Sequence, residues 1–536
     1  MNYYNTTEKR KRRDNLRKSI ASRSVANTDK TKRNYSLRKE ALNLAYDDSA
    51  QAKSSKMSAF SLTMLALGSI IGAGMFLGVG LTIQLAGPSI IIAYALMGIL
   101  MYFNLSFLAE LSLLDPEKGS FQTYAAKAFG PGAGFVIGWL YWISGILVMS
   151  SEATAAGIFS AVWLPGIPLW AFMLIYSVAL TMVNLSDPRG FGKLESDLAI
   201  VKIIALAGFI LIAIVLVFLP LFGTAPGWRN ITNTPFLPHG LSGFAGSLLL
   251  VFYAYSGTSV VGLAITESDN PGRTVPKVVL ATSGLVTSFY VISVLLLLLL
   301  HPWTTYNAST SPYVSSLLPY RISAVQTLMN FVILTATLSA MSASMYGTSR
   351  MLNALAQQGE APRFFRQVSQ KAVPRRALLF TNAFLIGIAF LSYIIPNKLY
   401  LLVTGASGLL SLVNVLTISL AHWRLRPKLV VNHPDHTSHV PGYPVSNLLV
   451  TLFFAGVFVS AFAIPDQRAS FILGLSLIII TAGIYFVVRH TLKSNSQFPY
   501  HTPGQNHVPT SSLNTLHTLK HLAYKLRKHI SKRLRP

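Results

Sequence analysis

The sequence predicts an all-α integral membrane protein with twelve transmembrane helices, on three observations. Of its 536 residues, 52% are hydrophobic and 12% are charged, whereas soluble globular domains carry about 25% charged residues. Apolar runs of about 20 residues, the length that crosses a bilayer core, recur through most of the chain. The net charge of +26 lies mostly in two polar ends, residues 1–57 with 15 Lys and Arg against 6 acids and residues 489–536 with 9 and no acid.

Twelve apolar runs are predicted to span the membrane. They cover residues 59–81, 86–113, 133–159, 168–185, 195–221, 241–266, 278–300, 322–349, 376–395, 399–423, 445–464 and 470–489. Positive charge is retained on the cytoplasmic side, and an inside N-terminus places fifteen Lys and Arg in the inner loops against four in the outer loops. Both termini are therefore expected in the cytoplasm.

Three regions follow from this threading: a basic N-terminal tail at 1–57, a helical body at 58–490 and a basic C-terminal tail at 491–536. The first tail is interpreted as largely disordered and solvated. In the second, apolar residues recur every three or four positions, which predicts a basic amphipathic helix over 513–535 on the inner leaflet. Anionic lipids are the expected partners of these tails, and no nucleic-acid binding is expected.

The first span is rich in glycine, with Gly68, Gly72, Gly74, Gly78 and Gly80 inside thirteen residues. Each glycine costs about 1 kcal/mol relative to alanine inside a helix. Close helix packing through small residues is one interpretation. The other is an unwound helix, whose freed backbone groups are tolerated in a membrane where they line a cavity or bind a ligand.

The sixth span supports the second interpretation, because its apolar run is also broken midway, at 256–259. If the first ten spans form two halves of five, the first and sixth spans correspond. Paired interruptions at matching positions are the best sequence indicator of a transporter's central site. Half-helix N-termini offer N–H groups to an anion and the C-terminal ends offer carbonyls to a cation, so a zwitterion such as an amino acid fits both.

Four segments resemble the amino acid, polyamine and organocation (APC) transporters, particularly their amino acid permease branch. The segments are GSIIGAGMFLGVG, LAELSLLDPEKGSFQTYAAKAFGPGAGFVIGWLYW, FYAYSGTSVVGLAITESDNPGRTVPK and NFVILTATLSAMSASMYGTSRMLNALAQQGEAPRFF. The resemblance covers roughly residues 57 to 490. It implies a five-plus-five inverted repeat with discontinuous helices 1 and 6, two further C-terminal helices, and alternating access in the inner membrane of a bacterium.

The resemblance also implies substrate-binding residues, all of which lie at the two interruptions. They are Ser69, Ile71, Gly72, Ala73, Gly74, Tyr255, Ser256, Gly257 and Ser259. N–H groups of the first interruption would bind the α-carboxylate, and carbonyls near Ser69 and Tyr255 would receive the α-ammonium. Many relatives carry Glu in place of Ser259 and Asn in place of Ser342, and the loss of a carboxylate favours a neutral amino acid.

Two charged residues lie inside predicted spans, where a charge costs roughly 2.5–3.5 kcal/mol. Lys202 could extend to the inner interface or act as a proton carrier. The resemblance favours the carrier, because some proton-coupled relatives place a lysine where sodium-coupled relatives bind sodium, with Ser339 and Ser342 as neighbours here. Glu152 could face the pocket and relay protons, or be a neutral acid hydrogen-bonded to another helix.

Two further acids, Glu110 and Glu267, lie near the cytoplasmic ends of their spans. A salt bridge with an inner-loop arginine competes there with solvation at the interface, and solvation is the preferred interpretation. The loop histidines His433, His436 and His439 are interpreted as solvated rather than metal-binding.

The leading hypothesis is a secondary transporter that imports a neutral amino acid with a proton. The alternatives are an amino acid/amine exchanger of the same fold and a membrane sensor that binds an amino acid without moving it. An enzyme is not expected, since no Walker loop, nucleophile elbow or HExxH motif occurs, and no cofactor or metal is expected.

Overall fold

The computed structural model describes most of the helical body and the first four residues of the predicted C-terminal tail. The described residues are 58–494 without 116–120, 186–187, 220–226, 259–270, 308–309, 321–322, 370–372, 433–439 and 465–466. The N-terminal tail, residues 495–536 of the C-terminal tail and the predicted amphipathic helix therefore lie outside the described residues, and the last helix continues four residues past the predicted end of the body at 490. So do Ser259, Glu267 and the three loop histidines.

Seventeen α-helices account for most of the described residues, which contain no strand. In chain order they are α1 Ala59–Ile70, α2 Ala73–Phe76, α3 Gly78–Ala86, α4 Ile90–Leu114, α5 Phe121–Phe129, α6 Pro131–Ala161, α7 Leu169–Asn184, α8 Pro188–Phe218, α9 Arg229–Thr232, α10 Gly240–Ala254, α11 Pro271–Leu300, α12 Pro312–Ser315, α13 Ser323–Gln358, α14 Arg375–Ile394, α15 Pro396–Asn432, α16 Val445–Ala463 and α17 Arg468–Ser494.

Ten helical segments among the described residues are long and apolar enough to cross a membrane, and α1 and α7 are shorter apolar helices. The chain is therefore a multi-pass integral membrane protein. Several helices run beyond the predicted spans, and α15 continues to Asn432 instead of ending at 423. Hydropathy identifies only the stretch that lies in lipid, whereas a helix can continue with polar residues outside it. The five-plus-five repeat stays a prediction.

Helix α6 lies at the centre of the bundle and packs on α13 and α15. Small residues allow this close approach. A Cβ atom at Gly145 of α6 would lie 2.1 Å from the Thr348 Oγ1 atom of α13, closer than real contacts allow. The same holds between α4 and α11, where a Cβ at Gly98 would lie 2.1 Å from Thr287 Oγ1.

A buried polar cluster joins the C-terminal part of α4 to α15 and α16. Glu110 is fully buried, and its Oε2 lies 2.8 Å from His422 Nε2 and 2.9 Å from Arg426 Nε. Asn447 Nδ2 lies 2.9 Å from His422 Nδ1, so the tautomer that suits both contacts carries its proton on Nε2. We call these four residues the clamp cluster. Interfacial solvation of Glu110, the preferred interpretation, was wrong, and the competing salt bridge with an arginine is present because α15 extends past 423 to Arg426.

Candidate functional site

The first predicted interruption is present between α1 and α2, at Ile71 and Gly72. Gly72 is extended, with φ −146° and ψ −152°. A Cβ atom there would lie 2.6 Å from Glu152 Oε1 and 2.8 Å from Ala340 Cβ. Glycine is thus required by the close approach of α6 and α13 to the main chain.

An acidic side chain accepts hydrogen bonds from the N–H group at the start of α2. The Ala73 N–H donates to both carboxylate oxygens of Glu152, at 3.1 Å and 2.9 Å, and Glu152 is buried on α6. Ala73 belongs to the set predicted to bind a carboxylate. Ile71, from the same set, instead donates its N–H to the Leu67 carbonyl at 3.0 Å and so continues the α1 ladder.

The second predicted interruption follows α10, which ends at Ala254 and leads into a short turn at Ser256–Thr258. It meets the first interruption directly. Ser69 Oγ donates to the Gly257 carbonyl at 3.0 Å, and a Cβ at Gly257 would lie 2.1 Å from the Ser69 carbonyl oxygen. The structure therefore brings together the two chain segments that the sequence paired.

Two tyrosines that sequence reasoning did not select bind the main chain at these interruptions. Tyr290 on α11 directs its hydroxyl at the carbonyls of Ile70, at 3.2 Å, and Ala254, at 3.1 Å. Tyr400 on α15 donates to the Ala73 carbonyl at 3.1 Å. In the sequence, each is an aromatic residue within an apolar helix, a pattern that does not distinguish packing from a role at the site.

A small polar cavity lies where the interruptions meet. It is lined by Ser69, Gly74, Ser256, Gly257, Glu152 and Tyr253, among others, and by hydroxyl groups of α6, α13 and α15. Its volume of about 40 Å³ would hold about three water molecules. Tyr255 directs its hydroxyl elsewhere, to the Tyr94 carbonyl at 2.9 Å, and Tyr253 lines the cavity instead.

A second acid accompanies Lys202 beside the first interruption. The Lys202 side chain is 1% exposed and its Nζ donates to the Gly68 carbonyl at 2.5 Å, so the ammonium does not extend to the interface. Glu195 approaches the same glycine, since a Cβ at Gly68 would lie 2.8 Å from Glu195 Oε1, and Glu152 approaches Gly72 one turn further along the chain. We call Glu152, Glu195 and Lys202 the site cluster.

Glu195 was not among the residues predicted from the sequence. Its spacing of seven residues from Lys202 places both on one face of α8 and was the available signal. The Glu195 carboxylate accepts a hydrogen bond from Ser339, one of the two serines predicted near Lys202. The other, Ser342, accepts instead from Asn184 Nδ2 at 2.9 Å.

A membrane-embedded helical bundle in which two interrupted helices meet at a buried polar cavity has the architecture of a secondary transporter. The sequence profile of the family described as amino acid permease matches residues 61–497. The chain belongs to this family, as its resemblance to the permeases implied.

The match covers nearly the whole length of two curated relatives. The gamma-aminobutyric acid permease of Bacillus subtilis (strain 168) is 33% identical over 419 residues, which are 77% of this chain and 88% of that protein. The aromatic amino acid transport protein AroP of Escherichia coli O6:H1 is 33% identical over 429 residues, 79% of this chain and 94% of its own.

The fold is also that of a solved structure. The crystal structure of MhsT in complex with L-phenylalanine aligns with a TM-score of 0.55 at 15% identity, over 76% of this chain and 99% of that chain. The similarity at this identity concerns the fold alone.

Proposed function

We propose that this chain is a secondary active transporter that imports a neutral amino acid together with a proton by alternating access. It lies in the bacterial plasma membrane with both termini in the cytoplasm. Its membership of the amino acid permease family supports amino acid transport. Because the cavity of about 40 Å³ is smaller than any amino acid, the surrounding helices must move apart to admit and release the substrate.

The observation that carries proton coupling is the contact of Glu152 with the Ala73 N–H group. The α-carboxylate of the substrate needs the same donor, and two carboxylates cannot share it without strong repulsion. Substrate entry therefore displaces Glu152 from Ala73. A displaced carboxylate that stayed ionised in the membrane interior would cost roughly 2.5–3.5 kcal/mol, so Glu152 takes up a proton as the substrate binds.

Lys202 and Glu195 complete the proton path in this proposal. The site cluster contains two acids and one ammonium, so its fully ionised form carries one uncompensated negative charge. A buried charge without a partner is unfavourable, and the cluster therefore holds one proton more than full ionisation allows. Lys202 passes this proton between the two acids while its contact with the Gly68 carbonyl links the transfer to α1.

The lining of the cavity supports a neutral substrate. Among the described lining residues, Glu152 is the one acidic side chain, and the others contribute hydroxyl groups, aromatic rings or small apolar groups. Because Glu152 takes up the transported proton, no ionised carboxylate remains in the cavity lining to pair with a cationic substrate side chain. The relatives named for gamma-aminobutyric acid and for aromatic amino acids support substrates without net charge.

The test is uptake into proteoliposomes of the full chain, with gamma-aminobutyric acid, L-phenylalanine, L-alanine and L-lysine as labelled substrates. A gradient that is acidic on the substrate side should drive accumulation of a neutral substrate by wild type. Glu152→Gln, which is permanently neutral, should keep exchange of internal for external substrate and lose the response to the gradient. Asp115→Asn, which removes a carboxylate paired with Lys127 at 2.5 Å, should leave the response unchanged.

The same assay separates the alternatives. Uptake that needs internal substrate and ignores the pH gradient would identify an exchanger. Saturable binding without any uptake would identify a sensor. A Glu152→Gln variant that still accumulates substrate in response to the gradient would contradict the assigned coupling role.

A further inference from the structure

Tyr290 lies where both interrupted helices end. Its hydroxyl is within 3.2 Å of the Ile70 carbonyl and 3.1 Å of the Ala254 carbonyl, and these are the last residues of α1 and α10. The C-terminal end of a helix presents carbonyl oxygens and partial negative charge. A single hydroxyl therefore spans the two negative ends.

The donor and acceptor counts do not match at this point. A tyrosine hydroxyl has one proton to donate, whereas it faces two carbonyl oxygens, each with two lone pairs. An ammonium group has three donors and a positive charge, so it would satisfy both carbonyls and favour the negative helix ends. The position is better suited to an ammonium than to the hydroxyl that occupies it.

The Tyr290 ring is held in place by its aromatic neighbours. It contacts Tyr94 at 5.8 Å and Tyr255 at 5.0 Å between ring centroids, both edge to face, and the side chain is fully buried. Ile70 and Ala254 also line the cavity. The hydroxyl thus contacts two residues that line the cavity, and its displacement requires the ring to shift against Tyr94 and Tyr255.

We propose that the Tyr290 hydroxyl is a placeholder for the α-ammonium group of the substrate. In the empty protein it satisfies the Ile70 and Ala254 carbonyls, and an amino acid must displace it to bind. The inference rests on the proposed function, since it assigns the ammonium half of the same site. With Glu152 on the Ala73 N–H group, both halves of the empty site are then filled by side chains of the protein itself.

Removal of a placeholder should strengthen substrate binding, whereas removal of a group that binds the substrate should weaken it. Removal of the hydroxyl leaves the carbonyls without their donor in the empty protein, so an ammonium gains more on arrival. Since one neutral hydrogen bond makes a modest net contribution, Tyr290→Phe should tighten the binding of ammonium-bearing ligands about fivefold. Ligands without an ammonium should bind as before.

The experiment measures dissociation constants for the purified full chain by titration calorimetry with three related probes. L-Phenylalanine carries both groups, phenethylamine lacks the carboxylate, and 3-phenylpropanoate lacks the ammonium. Tyr290→Phe should bind the first two about fivefold more tightly and the third unchanged. The small series of L-alanine, ethylamine and propanoate repeats the comparison for a smaller side chain.

Tyr306→Phe is the matched control. It removes another buried tyrosine hydroxyl that donates to a backbone carbonyl, that of Leu297 at 2.6 Å, away from both interruptions. It should change none of the dissociation constants. Tyr290→Met, which also removes the donor, should reproduce the order found with Tyr290→Phe.

Weaker binding of L-phenylalanine by Tyr290→Phe would overturn the proposal, because the hydroxyl would then be a ligand. An equal change for all three probes, no change for any, or failure of both Tyr290 variants to fold would also overturn it, because the hydroxyl would then have a structural role or none. If wild type binds none of the six probes, the proposed transport of neutral amino acids fails as well. Binding by wild type with no discrimination in the variant refutes the placeholder alone.

Discussion

The clamp cluster and the site cluster are both buried groups of charges, but their partners differ in kind. In the clamp cluster, Glu110 faces the side chains of His422 and Arg426, which lie on the uninterrupted helix α15. In the site cluster, Glu152 and Lys202 face main-chain groups, the Ala73 N–H and the Gly68 carbonyl. Those groups belong to the interrupted first span.

The difference separates a permanent contact from an exchangeable one. A side-chain pair between complete helices has no competitor in the substrate, so it can only hold the helices together. A main-chain N–H group freed by an interruption is a donor that a ligand carboxylate can also use. We infer that the clamp cluster serves stability and that the site cluster serves the transport cycle, and variants of the two clusters should fail in different ways.

The largest expected effect is a loss of stability in the clamp cluster. Glu110→Leu should lower the free energy of unfolding by about 3 kcal/mol, because it leaves Arg426, whose side chain is 14% exposed, without its carboxylate. Thermal unfolding of the purified protein measures this loss. Transport per folded molecule should be close to that of wild type.

Glu110→Leu combined with Arg426→Leu is the control for that prediction. Removal of both partners of a buried pair is often nearly neutral, so the double variant should recover most of the lost stability. If it is as unstable as the single variant, the ion pair is not the source of the effect. Loss of transport by well-folded Glu110→Leu would break the distinction between the two clusters.

The next largest effect is a loss of coupling in the site cluster. With one proton per substrate, a gradient of one pH unit supports about tenfold accumulation. Lys202→Ala should abolish this accumulation while passive exchange is reduced less. Uptake and exchange in proteoliposomes measure the two properties on the same preparation.

Lys398→Ala removes an exposed lysine and should change neither property. Uphill uptake by Lys202→Ala at the level of wild type would show that the lysine takes no part in coupling. Equal loss of uptake and exchange would indicate a structural role for Lys202, and the proposed division between the clusters would then be wrong.

The two interruptions of the site could be predicted from the sequence. The interruptions at Gly72 and Gly257 were predictable, because glycines and polar residues break the apolar run of each span, and the structure brings Gly257 against Ser69, next to the first interruption. Their pairing followed from the matching positions of the two spans. The binding and coupling roles of the residues around them stay predictions.

What the sequence did not predict depends on contacts between distant helices. Glu195 reaches Ser339 across 144 positions, and Tyr290 reaches Ile70 across 220. No local pattern reports such a contact. The preference for solvation at Glu110 was wrong for a related reason. Hydropathy ended the tenth span at 423, whereas α15 continues past it and brings Arg426 Nε within 2.9 Å of Glu110 Oε2.

The smallest expected effect concerns Glu360, an acid that lies two residues after the end of α13 and outside the membrane-spanning segments. Its Oε2 accepts from Gln122 Nε2 at 2.6 Å, and burial raises its pKa from 4.5 to about 7, an increase that this hydrogen bond limits. The folded chain therefore holds this proton more tightly than the unfolded chain. Stability should fall as the pH rises from 4.5 to about 7 and should not change through this group above that range.

Glu360→Gln stays neutral and should remove this part of the pH dependence. Because Glu360 is only half-buried, its ionised form is partly hydrated, and the gain at pH 8 should be about 1 kcal/mol. Thermal unfolding of both proteins at pH 5 and pH 8 measures it, and pH 5 is the internal control because both side chains are then neutral in the folded protein. A gain of the same size at both pH values would trace the effect to packing rather than to charge. Glu360 would then resemble the clamp cluster, as a contact that supports the fold without responding to protons.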